Sequence, residues 1–264
     1  MTKLPSLFIS HGSPDIAIAH TQAHAFLKAY AHDTPRPDAI IVVSAHFEAG
    51  GVAVTGDAQP VTIHDFGGFD QKLFDIQYNA PGCPSLAERV ACMMHGNGLA
   101  AGVVVDHGFD HGTWVPLSLM YPEADIPVVQ VSIDPHAGPD HHQKLGGALA
   151  PLRDENILII GSGSMTHNLK EAMSAFRAGD RQAAMPPWVS QFVGWMQDKI
   201  ETADEGALLA YRDRAPFAVK NHPTDEHLMP LYSAIGAAGS GWSASKLHGS
   251  SDFGVLAMDA YAFN

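Results

Sequence analysis

The sequence predicts an α/β protein: a single domain over residues 1–264, with a central mostly parallel or mixed sheet flanked by helices. Three observations lead to this fold class. Apolar runs of strand length recur between Leu7 and Ile160, and helix-compatible segments separate them at the spacing of βαβ units. Several of these runs give way to small polar residues and then a histidine, as at Ser10-His11 and Ser44-Ala45-His46. In open α/β sheets ligands collect beyond the carboxyl ends of strands, so this is where site residues are expected.

The elements follow in order. A first strand runs from Leu7 to Ser10, and Ile16 to Tyr30 is helix-compatible. Pro35 and Pro37 break the chain before strands at Asp38 to Ala45 and Val52 to Thr55. A helix is expected over Ser85 to His95, with Pro84 or Ser85 at its start and Gly96 and Gly98 at its end. Strands at Val103 to Val105, Ile126 to Ile133 and Ile157 to Ile160 alternate with helices at Trp114 to Met120 and His141 to Leu152. Beyond Gly161 the pattern turns helical. Pro187 to Ile200 places Trp188, Phe192, Trp195 and Met196 on one face, and Ala203 to Tyr211 follows. Asp180 to Pro187 reads as a flexible connection, and Phe253 to Phe263 as a last strand.

Composition narrows the function. A chain of 264 residues with 46% hydrophobic content can bury one substantial core. Its formal charge of -13 argues against nucleic acid or an anionic membrane as partner, because either would be met by a basic patch. Cys83 and Cys92 form neither a disulfide framework nor a Cys-x-x-Cys pair, which suits a reducing, cytoplasmic setting. No apolar stretch approaches the ~20 residues of a membrane span.

Histidines carry the candidate site. His11, His46 and His167 each lie beyond an apolar run, and His227 closes the segment His222-Pro223-Thr224-Asp225-Glu226-His227. Imidazoles brought together from separate strands could converge on one metal ion. His222 and His227 cannot share a helix face, since five residues turn a helix by about 140°. Pro230 would also strain any helix begun at Thr224. Gly161-Ser162-Gly163-Ser164 lacks the continuation of a phosphate-binding loop and reads instead as a sharp turn delivering His167, with Asn168 available to orient a neighbour. His64, His107 and His111 fall in polar, glycine-containing loops, where solvated turn residues are an equal reading. His20, His24, His32, His95, His136, His141, His142 and His248 are expected on surfaces or helix faces.

Five ordered segments add specificity: Phe8-Ile9-Ser10-His11-Gly12-Ser13-Pro14, Val43-Ser44-Ala45-His46, Thr62-Ile63-His64-Asp65-Phe66-Gly67-Gly68-Phe69, Asp110-His111-Gly112-Thr113-Trp114 and Pro223-Thr224-Asp225-Glu226-His227. Together they resemble the 4,5-DOPA extradiol dioxygenase family, within the class III (protocatechuate 4,5-dioxygenase β-subunit-like) extradiol ring-cleavage enzymes. The resemblance spans Leu4 to Tyr261. It implies an α/β fold around a mononuclear non-haem metal site, with His11, His46 and His227 as metal ligands. It also implies His167 as acid/base or a further ligand, and His64 and His111 as residues lining the substrate pocket, where pre-aimed donors would stabilise negative charge on oxygen. The implied partners are a small-molecule catechol and dioxygen, in a monomer or small homo-oligomer. With L-DOPA, opening between positions 4 and 5 would give a seco product that closes to betalamic acid.

Many extradiol enzymes bind iron with two histidines and a carboxylate. Three imidazoles here would suit Zn²⁺ as well as Fe²⁺, and only iron can pass electrons to dioxygen. A zinc-dependent hydrolase or amidase on the same histidines is therefore the alternative, and a non-catalytic metal or aromatic-ligand binder is a third reading.

Overall fold

The computed structural model describes residues 3–32 and 34–264. Its strands are β1 (Ser6–Ser10), β2 (Ala39–Glu48), β3 (Val52–Thr55), β4 (Ala101–Val104), β5 (Val128–Ile133), β6 (Ile157–Gly163), β7 (Ala244–His248), β8 (Ser251–Asp252), β9 (Leu256–Ala257) and β10 (Ala260–Phe263). Its α-helices are α1 (Gln22–Tyr30), α2 (Gln71–Phe74), α3 (Pro84–Gly96), α4 (His111–Met120), α5 (Gly138–Leu149), α6 (Leu169–Ala178), α7 (Pro187–Glu201), α8 (Glu205–Leu209), α9 (Tyr211–Arg214), α10 (Ala218–Asn221) and α11 (Met229–Ala238). Eight strands form one sheet in the order β4-β3-β5-β2-β6-β1-β10-β7, and β8 and β9 make a small separate ladder. The central strands β5, β2, β6 and β1 are parallel, while β3 meets β5 and β10 meets β1 antiparallel. This is the expected single-domain α/β class with a mixed sheet.

Every residue of β1, β5 and β6 is buried, which explains why those runs read as continuously apolar rather than alternating. One face of the sheet packs Ile41, Val43, Val129, Val131 and Ile159 against α3, α5, α7 and α11. The other packs Leu7, Ile9, Ile40, Val42 and Ile160 against α1 and α4. Alternate strand residues thus supply two cores, as the period of a pleated strand requires.

Three departures from the sequence expectations bear on the site. Ser162 and Gly163 remain inside β6 instead of starting a turn, so the glycines serve close packing. A Cβ on Gly161 would stand 2.0 Å from the Pro230 carbonyl oxygen, and one on Gly163 would stand 2.2 Å from that of His227. The segment carrying His227 can lie on β6 only because those side chains are absent. Gly163→Ala is accordingly expected to destabilise the fold by about 1–3 kcal/mol through overpacking. A fall in the urea midpoint without loss of cooperativity checks this.

The second departure is α11, which sequence reading did not place. All ten of its residues are buried, so it has no polar face to reveal a helical period, and Pro230 sits in its first turn, where a missing N–H costs nothing. The third is α6, likewise unplaced, which begins at Asn168, whose side chain accepts from the Glu171 N–H at 3.1 Å. The segment expected to be a helix from Ile16 to Tyr30 is divided into a 3-10 turn over Pro14–Ala17 and α1, and the expected last strand from Phe253 to Phe263 is split into β9 and β10. Asp180 to Pro187 is pinned by Arg181, which pairs with both Asp15 and Asp252.

A candidate metal centre at the carboxyl ends of three strands

β2, β6 and β1 are adjacent and parallel, so their carboxyl ends open onto one crevice. His11 follows β1 directly, its N–H donating to the Gly163 carbonyl at 2.9 Å. Gly12 then turns the chain at φ 66°, where a Cβ would meet the Met258 side chain at 2.5 Å. His46 lies within β2, beyond the point where pairing with β5 slips. Ser44 pairs with Ser132 and Glu48 with Ile133, so Ala45, His46 and Phe47 bulge out of the ladder. His167 follows β6, its N–H held by the Asn221 carbonyl at 2.9 Å. His227 is fixed where its carbonyl accepts from Ser164 N–H at 2.8 Å, and Asp225 beside it accepts from Tyr211 Oη at 2.7 Å and pairs with Arg212.

The three imidazoles His11, His46 and His227 meet. His46 Nε2 lies 3.1 Å from His11 Nε2 and 3.2 Å from His227 Nε2. Their partners decide where the protons are. Ser162 Oγ donates to the Gly112 carbonyl, so it must accept from His11 Nδ1–H at 3.0 Å. Glu226 Oε1 accepts from His227 Nδ1–H at 3.0 Å, and Asp65 Oδ2 lies 3.6 Å from His46 Nδ1. His11 and His227 therefore carry their protons on Nδ1 and turn Nε2 lone pairs toward His46, whose own Nδ1 faces the Asp65 carboxylate. Lone pairs so placed repel unless a cation lies between them. Two nitrogens about 2.1 Å from one ion stand roughly 3.0 Å apart at right angles and roughly 3.4 Å apart at the tetrahedral angle. The observed separations fall between these, so the donor set fits a metal ion in both chemistry and span.

Charge points the same way. Burial, and then the proximity of His46, holds His11 well below the usual imidazole range. Burial and His167 do the same to His227, and burial brings His46 down to about 3 against the pull of Asp65. All three are neutral at pH 7, as metal ligation requires.

Two further imidazoles flank the cluster, each with a carboxylate. The His167 ring stacks on His227 with centroids 3.4 Å apart, its Nδ1 3.8 Å from Glu226 Oε1. Burial lowers His167 to about 4, with Glu226 opposing the shift. His111, the first residue of α4, is buried 3.8 Å from the His46 ring, centroid to centroid. Both its backbone N–H and its Nδ1–H donate to Asp65 Oδ1, at 3.1 and 2.9 Å. Burial works to raise Asp65, but the bonds from His111 and the nearby His46 leave it below its ordinary range. Asp110 caps α4 by accepting from Thr113 N–H, and it also accepts from Ser44 Oγ and Gln130 Nε2, both at 2.7 Å. This network sets the His111 backbone.

A cavity of about 360 Å³ opens over these groups, lined on its inner side by His11, His46, Asp65, His111, His167 and His227. His64 stands outside that lining. Its Nε2–H donates to the Ile76 carbonyl at 3.1 Å, and its ring packs near Phe66, Phe74 and Trp114. Its neighbours Asp65 and Phe66 face the cavity instead. His222 is fully buried behind the site, donating from Nε2 to the Met165 carbonyl at 2.9 Å, and His142, expected on a helix face, is also fully buried. Asp65 and Asp110 carry no site role in the sequence pattern, although each adjoins a flagged histidine, and Ser162, expected in a turn that delivers His167, instead holds His11 from within β6. Asp65→Asn is expected to weaken metal binding or activity about 10–100-fold, the usual cost of losing a carboxylate that orients ligand imidazoles. Competition against a chromophoric chelator measures it.

A family model described as the catalytic LigB subunit of aromatic ring-opening dioxygenase matches residues 5–258. The chain belongs to this family. It is 39% identical over 262 residues to a protein of Beta vulgaris named 4,5-DOPA dioxygenase extradiol, covering 98% of this chain and 96% of that one. An Escherichia coli protein of the same name is 38% identical over 242 residues, covering 89% of this chain and 86% of the relative. The crystal structure of an uncharacterized Escherichia coli protein superposes with a TM-score of 0.76 at 30% identity, covering 98% of this chain and 99% of the other. The chain is thus an extradiol ring-cleavage enzyme, and the hydrolase alternative is not favoured. Among the described residues no helix is long and apolar enough to cross a membrane.

Proposed function

We propose that this chain opens catechol rings with dioxygen at a ferrous ion held by His11, His46 and His227, and that L-DOPA, the substrate in its relatives' names, is among the catechols it opens. The observation that supports this most is the convergence of three Nε2 atoms, 3.1 and 3.2 Å apart. When bound, ferrous iron supplies positions for the diol and for dioxygen and passes electrons from ring to oxygen, whereas zinc in the same place cannot.

The protein's own groups manage protons and position. Neutral His167 accepts a substrate hydroxyl proton, and the Glu226 carboxylate, 3.8 Å from its Nδ1, offsets the charge of the imidazolium formed. The same imidazolium returns that proton to a product oxygen. His111, its Nδ1–H committed to Asp65, presents Nε2 as an acceptor for a hydroxyl. Once protonated there, it donates to negative charge developing on oxygen. His64 acts at one remove, tying its loop to Ile76 so that Asp65 and Phe66 face the substrate.

With L-DOPA, opening between ring positions 4 and 5 yields a seco product that cyclises to betalamic acid. These site residues all come from one chain, so a monomer suffices and a small homo-oligomer is compatible. The whole of residues 1–264 acts as one catalytic domain, in the cytoplasm. Mass spectrometry of the product formed under isotopically labelled dioxygen tests the reaction. The ring-opened product should carry both labelled atoms before any exchange with water, whereas ring opening without dioxygen would overturn the proposal.

A further inference from the structure

Four phenylalanines line the cavity in a continuous run: Phe66 and Phe69 from the loop that carries Asp65, Phe176 from α6, and Phe253 from the turn between β8 and β9. Their rings touch in sequence. Centroids lie 5.5 Å apart from Phe66 to Phe69, 5.7 Å from Phe69 to Phe176 and 5.2 Å from Phe176 to Phe253, each pair tilted or edge-on. One end of the run meets His111, 5.7 Å from Phe66. The other end meets Arg181, whose guanidinium lies 4.5 Å from the Phe253 ring centre.

Arg181 joins segments that are far apart in the chain. Its Nη1 donates to Asp252 Oδ2 at 2.6 Å, its Nη2 donates to Asp15 Oδ2, and its carbonyl accepts from Phe253 N–H at 2.8 Å. Asp15 directly follows Ser13 and Pro14, which line the cavity after His11, and Asp252 directly precedes Phe253. One side chain thus ties the segment after α6 both to the turn after β1 and to the β8–β9 hairpin. Phe253 is held at φ 53°, a left-handed conformation that a bulky residue keeps only where its surroundings impose it, and such positions cluster at ligand clamps. Gly254 follows at φ 70°, and a Cβ there would stand 2.8 Å from the Ala184 carbonyl oxygen, so the turn is pressed against the segment that carries Arg181.

We propose that Arg181 is a positioning residue for ring cleavage, a clasp that holds the phenylalanine rim closed around a bound catechol. It does not line the cavity and acts through Phe253. The planar fork of a guanidinium suits this task, because it can hold two carboxylates while its face covers a ring. With the clasp open, Phe253 and Phe176 no longer close over the substrate, while the metal ligands keep their own supports. The inference rests on the ring-cleavage reading for its substrate and adds a residue outside the metal centre.

The test uses Arg181→Met, which keeps the apolar stem and removes the fork, with 4-methylcatechol, whose lack of charge rules out a direct ion pair as the cause of any change. Calorimetry on zinc-loaded protein, where no turnover occurs, should show affinity about tenfold weaker than in the unsubstituted protein, the order of one lost aromatic contact, with metal content unchanged. On iron-loaded protein KM should rise about tenfold and kcat change less than about threefold. Arg181→Lys should recover only part of the affinity, since one ammonium cannot fork to both carboxylates. In the unsubstituted protein 4-methylcatechol should slow amide hydrogen exchange across residues 251–257, and Arg181→Met should lose that protection. Because Arg181→Met leaves Asp15 and Asp252 without their cation, the variant that also carries Asp15→Asn and Asp252→Asn repeats the measurements without a bare buried charge. Unchanged affinity in these variants, or hairpin exchange in the unsubstituted protein that is indifferent to catechol, would overturn the proposal while leaving ring cleavage intact. Absence of turnover with the binding and exchange results as expected would sink the ring-cleavage reading alone.

Discussion

Replacing His227 with alanine is expected to reduce bound metal from about one ion per chain to less than about a tenth and to abolish ring opening. The reason is geometric. His227 is the third imidazole of the cluster, and the other two, His11 and His46, with Nε2 atoms 3.1 Å apart, come from neighbouring parts of the same sheet edge. Without His227 the two remaining neutral donors leave a wide, wet coordination sphere. Glu226 cannot take over, because it adjoins the Nδ1 side of His227, away from the shared centre. The variant should keep its fold, since what fixes this segment is the His227 backbone carbonyl on Ser164 N–H and the pairing of Asp225 with Arg212. Metal analysis after gel filtration, with circular dichroism as the control for folding, gives the answer.

Replacing His167 with alanine should have the second largest effect and a different signature: a loss of about 10²–10⁴ in kcat with the metal retained. His167 stacks face to face on His227 instead of joining the trio of Nε2 atoms, and its nearest charged neighbour is Glu226. That arrangement suits a proton carrier whose charged form is stabilised by a carboxylate. Loss of the ion along with activity would make His167 a fourth ligand. Glutamine at the same position keeps a polar side chain but cannot take up a proton at neutral pH, so it should not rescue the rate.

How much of this was legible in the sequence depended on burial and on distance along the chain. Strands such as β6 announced themselves, because continuous burial selects continuous apolar residues. α11 did not, because complete burial erases the amphipathic period by which a helix is recognised. Histidines following strands stood out singly, and the ordered segments around them carried the family resemblance. Their partners stayed hidden. Asp65 and His111 are 46 positions apart and His11 and Ser162 are 151 apart, so their hydrogen bonds exist only through the folded sheet. His64 shows the converse. It sits in the right motif, yet its side chain turns to a backbone carbonyl while the next residue faces the cavity. The glycines of β6 looked like a turn because their reason for being small is the Pro230 and His227 backbone, far along the chain.

The most direct measurement is oxygen consumption by protein loaded anaerobically with ferrous iron, on addition of 4-methylcatechol, with the zinc-loaded and metal-free forms run in parallel. The expected result is one dioxygen consumed per ring opened by the iron form, and no consumption above the uncatalysed rate by the other two. Equal consumption by all three forms, or ring opening by the zinc form, would contradict an iron centre on His11, His46 and His227.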